Sequence, residues 1–161
     1  MLRRFIACGG ACIGIAAIAF SQEGSGVSGS DAIVARQASL DMSSITFRSM
    51  SDAMKAGREA KSQGYPAAAL AKWAKALPRM FPAGTGKGET SASTQALPTV
   101  WRDPTGFESA AANYADATAR LAALAGANDT PGFTKQLEEV DHACGSCHAR
   151  YKEGAQGPPQ K

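Results

Sequence analysis

Cysteine, histidine and long apolar runs are all scarce in this chain, and each scarcity removes a class of protein. Four cysteines occur in 161 residues. Cys8 and Cys12 lie in an N-terminal stretch that reads as removable, so Cys144 and Cys147 are the only cysteines expected in the mature chain. No second cysteine pair follows them, whereas a structural zinc site normally wants four ligands. No run alternates apolar and polar residues with period two, so no sheet is expected. Neither charge sign is in marked excess: the 17 Lys and Arg, less Arg3 and Arg4, leave 15 against 14 acidic residues. That balance argues against a nucleic-acid surface. No nucleophile–base constellation is visible, so the chain is read as a non-enzyme.

The longest charge-free apolar run is Phe5 to Phe20, after the basic start Met1-Leu2-Arg3-Arg4. It is shorter than the ~20 residues of a lasting transmembrane helix. Ala19 and Ser21 are small residues at the two positions that a signal peptidase reads, so residues 1–21 are expected to be a signal peptide. The expected destination is the periplasm, with no membrane attachment once the signal is gone. Residues 22–30 are Gly/Ser-rich and read as a flexible lead-in. Residues 31–153 read as one domain, and the Gly- and Pro-containing 154–161 as a flexible tail.

What is present is concentrated in Cys144-Gly145-Ser146-Cys147-His148. C-x-x-C-H is the attachment pattern of a c-type haem. Two thiols three positions apart can each bond to a vinyl group of one porphyrin, and the next residue supplies an imidazole as axial iron ligand. One covalent haem c per chain is therefore expected, on Cys144 and Cys147, with His148 on the metal. The competing reading is a structural or redox cysteine pair. His142, two residues before the motif, reads as a surface histidine.

Four helical segments have recognisable ends. Ser30 or Asp31 is placed to cap the first, which would run to Gly64. Pro66 suits the first turn of the second, which would stop near Pro78. Asp103-Pro104 and Thr130-Pro131 each pair an N-cap with a proline at the first helical position. Ile33, Leu40, Phe47 and Met54 recur every seven residues, as do Phe107, Tyr114 and Leu121. Leu70, Trp73 and Leu77 follow 3/4 spacing, and Phe133, Leu137, Val140, Cys144, Cys147 and Tyr151 share one side of the last helix. The expected fold is all-α, an antiparallel four-helix bundle with one covalently bound haem. The connection from about 78 to 104 is long enough to signal a functional or poorly ordered loop.

His148 falls near the end of the last helix, and no methionine follows it. Any methionine ligand would come from upstream: Met42, Met50, Met54 or Met80. With that placement the sequence resembles the cytochrome c-prime family over most of its mature length. Arg36-Gln37-Ala38-Ser39-Leu40 is similar to the family's R-Q-x-x-[L/M] haem-side motif. Leu77-Pro78 followed by Phe81-Pro82-Ala83-Gly84-Thr85 is similar to its LP…FPxGT loop. Pro98 to Asp103 resembles its P-E-x-W-x-D segment, with Thr99 where Glu is usual, and C-x-x-C-H closes the match.

The resemblance implies a division by the residue four places after the motif arginine. Methionine there gives a six-coordinate electron carrier. A non-ligand leaves the iron five-coordinate and open to small gases. Leu40 cannot coordinate, and Met42, about 200° further round the helix, should face away. The expected function is an exported, redox-active haem protein whose iron binds NO or CO under an apolar lid that discriminates against O₂. The alternative is a six-coordinate periplasmic electron carrier with an unidentified redox partner. The resemblance also offers Phe81 as a distal neighbour of Leu40, against simple loop packing. It offers Arg36 as a partner for a haem propionate, against a solvated surface arginine. Lys152 falls at the family's proximal basic position, against a lysine that only answers the helix dipole. Val34, Ala38, Met42 and Ile45 form a second stripe on the first helix. The resemblance makes that stripe the expected surface of a homodimer.

Overall fold

The computed structural model of the protein describes residues 27–155. The expected signal peptide, most of the lead-in and most of the tail lie outside the described residues. The chain forms α1 (Gly29–Lys55), α2 (Gly64–Ala76), α3 (Thr99–Arg102), α4 (Pro104–Gly126) and α5 (Thr130–Tyr151), with 3₁₀ turns at Ala60–Gln63 and Leu77–Met80. Among the described residues the only β-type pairing is an isolated antiparallel bridge between Ala96 and Lys152. The all-α expectation holds. The fifth helix is a single turn inside the segment expected to lead into the third long helix.

The helix ends are where the structure departs from expectation, and each departure has a local cause. The cap of α1 is Ser28, not Ser30 or Asp31. The Ser28 Oγ accepts from the Asp31 backbone N–H at 3.1 Å and donates to the Asp31 carboxylate at 2.7 Å. α1 stops at Lys55, well before Gly64. Gly57 sits at φ 72°, the Gly57 N–H donates to the Met54 carbonyl and the Arg58 N–H to the Ala53 carbonyl. This pair of bonds is a Schellman C-cap, which needs a left-handed residue that glycine supplies without strain. Pro66 does fall in the first turn of α2. That helix tightens into a 3₁₀ turn at Leu77, because Pro78 has no N–H to return to Ala74.

Asp103 caps α4 as expected, accepting from Gly106 N–H at 3.1 Å. For α5 the cap is Asp129 rather than Thr130, with Gly132 N–H donating at 2.9 Å. The turn between α4 and α5 is only Ala127-Asn128-Asp129. Asn128 takes φ 55°, and its Oδ1 accepts from Lys61 N–H. The displaced Thr130 accepts from Ala60 N–H instead. One end of the bundle is thus sewn together by Asn128, which nothing in the sequence singled out, and by Thr130, expected only as a cap.

The core is built from the expected stripes of α2, α4 and α5. Leu70, Tyr114, Leu121, Phe133, Leu137 and Val140 are all buried in one cluster, joined by Met50 of α1. α2 packs along α4, and α4 along α5, over most of their lengths, whereas α1 meets α2 and α5 over short stretches. In keeping with that, the α1 stripe is buried outright only at Ile33, while Leu40, Phe47 and Met54 remain half-buried. The space between α1 and the C-terminal half of α5 is the site described next.

Candidate functional site

Cys144, Cys147 and His148 lie in the last two turns of α5, where offsets of three and four residues place them on adjoining faces. Both thiols are free and half-buried. Burial, with Asp141 and Cys147 adding to it, pushes the Cys144 thiol up to about 12. Burial also raises Cys147, opposed by the Arg150 charge. His148 is held below the usual imidazole value by burial first and by the Lys152 charge second. Although its ring is exposed toward the crevice, the surrounding walls withdraw enough water to disfavour the cation. At neutral pH the site therefore offers two protonated thiols and a neutral imidazole with a free lone pair.

These residues form one wall of a crevice of about 870 Å³. The opposite wall is α1, through Arg36, Gln37, Leu40, Ser44 and Phe47. Leu77, Phe81, Phe107 and Tyr114 make an apolar floor, and Thr94 to Ala96 with Lys152 form a rim. Among the described residues no methionine lines it. Met50 is fully buried in the core, Met54 packs against that core, and Met42 is 61% exposed on another face of α1. The wall around Leu40 is less bare of hydroxyls than expected. Gln37 and Ser43 spend their donors on the Ser93 and Ser39 carbonyls, but among the described residues Ser44 has no protein acceptor.

Arg36 is not a solvated arginine. It is 1% exposed, and burial lowers its pKa. Its guanidinium donates to Thr85 Oγ1 at 2.7 Å, to the Thr85 carbonyl at 2.8 Å and to Thr94 Oγ1 at 2.7 Å. It also lies over the Phe81 ring at 4.7 Å. Among the described residues no carboxylate lies within ion-pair distance of it. A buried cation held only by neutral partners at the edge of a crevice suits an anionic group of a ligand.

The long 81–98 connection is tied to the bundle by hydrogen bonds, and Arg36 supplies three of them. Trp101 adds to them: its indole N–H donates to the carbonyls of Phe81 and Pro82. Phe81 stands edge-on to Phe107 with centroids 5.0 Å apart, and Phe107 edge-on to Tyr151 at 5.3 Å. Phe81 thus both lines the crevice and anchors its loop. The far end of the connection pairs with the exit of α5: Leu97 N–H donates to the Tyr151 carbonyl, and Glu153 N–H to the Gln95 carbonyl.

Sequence reading missed Thr85 and Thr94, which hold Arg36, and the second role of Asp103. The Asp103 carboxylate accepts from the Tyr151 hydroxyl at 2.9 Å and from Arg150 at 3.0 Å, so the cap of α4 also pins the end of α5. Thr85 lay within the FPxGT match and could have been singled out. Nothing local marks Thr94.

The family model described as Cytochrome C' matches residues 31–152. The chain belongs to the cytochrome c' family. A cytochrome c-554 of Cereibacter sphaeroides is 34% identical over 76 residues, 47% of this chain and 48% of that protein, so the chain spans about half the length of that relative. The crystal structure of cytochrome c' from Rubrivivax gelatinosus is 28% identical, with a TM-score of 0.70, and the match covers 78% of this chain and 97% of that one. A structure of cytochrome c prime from Alcaligenes xylosoxidans, a ferrous variant with bound NO, has the same fold at a TM-score of 0.70 and 24% identity, covering 80% of this chain and 98% of that one.

Members of the cytochrome c' family carry covalently bound haem c. The residues of this crevice fit that group: two free thiols and a neutral imidazole on one wall, apolar side chains on the floor, and a buried guanidinium without a carboxylate at the edge.

Proposed function

We propose that Cys144 and Cys147 carry the haem by thioether bonds, that His148 is the sole protein ligand to its iron, and that the open axial side binds NO or CO. The observation that carries this reading is the composition of the wall across from His148: Leu40 and Phe47 line it, and among the described residues no methionine does. When bound, haem c supplies an iron with redox activity and an axial position for a small ligand. The chain's residues do the rest. Cys144 and Cys147 fix the group to α5, His148 donates its lone pair, and Arg36 neutralises a propionate. Leu40 and Phe81 keep water and larger ligands out of the distal side, and Lys152 sets the charge beside His148. The bound NO in the Alcaligenes xylosoxidans structure supports the choice of gas.

The wider setting belongs to the same proposal. Residues 1–21 direct export to the periplasm, residues 31–153 form the haem domain, and the protein binds and carries rather than catalyses. Among the described residues no helix is long and apolar enough to cross a membrane. Val34, Ala38, Met42 and Ile45 are all exposed on α1, which supports a homodimer through that helix.

An optical spectrum of the reduced holoprotein, taken before and after NO or CO, tests the reading. A high-spin ferrous spectrum that shifts on adding either gas is expected. A low-spin spectrum indifferent to CO would mean that a sixth protein ligand has reached the iron, and the protein would then be the alternative, an electron carrier only.

A further inference from the structure

The charges of this chain are segregated. Between Glu59 and Glu89 the sequence carries Lys61, Lys72, Lys75, Arg79 and Lys87 and no acidic residue, while in the rest of the described chain carboxylates outnumber cations. Within α2, Tyr65, Ala68, Lys72 and Lys75 follow 3/4 spacing and are all exposed, Tyr65 at 87%. Lys61 and Arg79, in the 3₁₀ turns at either end, are exposed as well. Among the described residues none of Lys61, Lys72, Lys75 and Arg79 forms an ion pair, and no other element covers this face. The other long helices mix signs: the outward side of α5 carries Lys135 beside Glu138 and Glu139. Two residues beyond Lys75 the chain enters the crevice, where Leu77 and Phe81 form part of the floor.

We propose that the outward face of α2 docks an acidic protein partner, with Lys72 and Lys75 as its charged centre and Tyr65 as its aromatic contact. An unpaired cationic face on an otherwise acidic molecule orients an approaching anionic surface before contact. A membrane is the poorer fit. On the exposed face Tyr65 is the one large side chain beside Ala68 and Ala69, while Leu70 is buried and Trp73 half-buried, and a helix lying in a lipid interface needs a row of bulky apolar side chains such as Leu, Phe or Trp. The helix that bears this face runs on into Leu77, which lines the crevice floor, so a partner docked on it would sit on an element that also builds the haem site. That the partner is a redox protein rests on the redox-active haem proposed above.

The test uses the holoprotein and an acidic plant-type [2Fe–2S] ferredoxin as probe. With both proteins oxidised no electron moves, and calorimetry at low salt reads docking alone. The paired charge reversal Lys72→Glu/Lys75→Glu is expected to weaken binding about tenfold or more. Arg120→Glu/Lys135→Glu, on α4 and α5, should leave binding within about twofold, and the difference should vanish at high salt. An unchanged CO spectrum in each variant shows that the haem site is intact. Equal losses in both variants, or none in the first, would overturn the proposal. So would binding to phosphatidylglycerol vesicles that depends on Lys72 and Lys75 while ferredoxin binding does not. The second reading mixes reduced ferredoxin with ferric protein. One electron should pass from the cluster to the iron, oxidising the probe, with the same dependence on Lys72 and Lys75. Docking without reduction would keep the surface and remove the redox partner, which separates failure of this inference from failure of the haem reading.

Discussion

At the scale of single residues, Leu40 and Arg36 do opposite work on the same wall. Leu40 is half-buried at the crevice and offers bulk without a donor atom. Leu40→Ala is expected to speed CO binding to the ferrous protein, read by flash photolysis or stopped flow. Leu40→Met brings a thioether sulfur to the same place, and a change to a low-spin spectrum with loss of CO binding is expected. Arg36 is legible in the sequence as a haem-side residue, but its burial is not. Its three donated bonds go to residues 49 and 58 positions away, a separation no helical spacing reveals. Arg36→Ala should leave Thr85 and Thr94 without their donor and cost about 1–3 kcal/mol, seen as a lower denaturant midpoint. Loosening of the 83–98 segment should accompany it in hydrogen exchange.

At the scale of elements, the caps decide where helices stop, and Gly57 decides the most. The apolar period of α1 could have continued past Lys55. The left-handed φ at Gly57 and its two backbone bonds close the helix there instead. Gly57→Ala would force an L side chain into that conformation at a cost of about 1–2 kcal/mol, or a Tm lower by about 3–6 °C. The haem spectrum should be unaffected, since Gly57 lies at the other end of the bundle. On the same helix, Met42→Glu with Ile45→Glu places like charges in the exposed stripe. A shift to monomer in light scattering is expected, with CO binding retained. That stripe was readable because it was surplus to one core. The path of the segment from 81 to 98 was not, because it is held by Arg36, Trp101 and the exit of α5 rather than by any periodicity of its own.

At the scale of the molecule, Asp103 joins the start of α4 to the end of α5 beside the crevice. Its carboxyl is held below the ordinary value chiefly by the Tyr151 hydroxyl and then by the Gly106 N–H, with Arg150 contributing. A carboxyl with a depressed folded-state pKa stabilises the protein above its unfolded value, about 3.9. That stabilisation is lost as pH falls through the lower folded value. Native protein should therefore lose stability below about pH 4, and Asp103→Asn should show a smaller loss over the same interval in acid titrations followed by circular dichroism. The clamp at Asp103 and the backbone pairing of residues 95–97 with 151–153 hold the rim of the crevice to the helix that bears His148. The same architecture leaves α1 touching its neighbours over short stretches, and that opening is what makes room for a cofactor.

Amino-acid order alone carries the C-x-x-C-H motif, the all-α class and the position of three of the four long helices, while Leu40 is expected across from His148 only through the family resemblance. The motif, the class and the helix positions are local, set by spacing within a helix or by a cap within one turn. Packing alone sets the burial of Arg36, the absence of any described methionine from the crevice lining, the tethering of the long connection and the double role of Asp103. Those outcomes depend on side chains meeting across tens of residues of chain. Such meetings are fixed by how the helices pack and leave no period in the sequence.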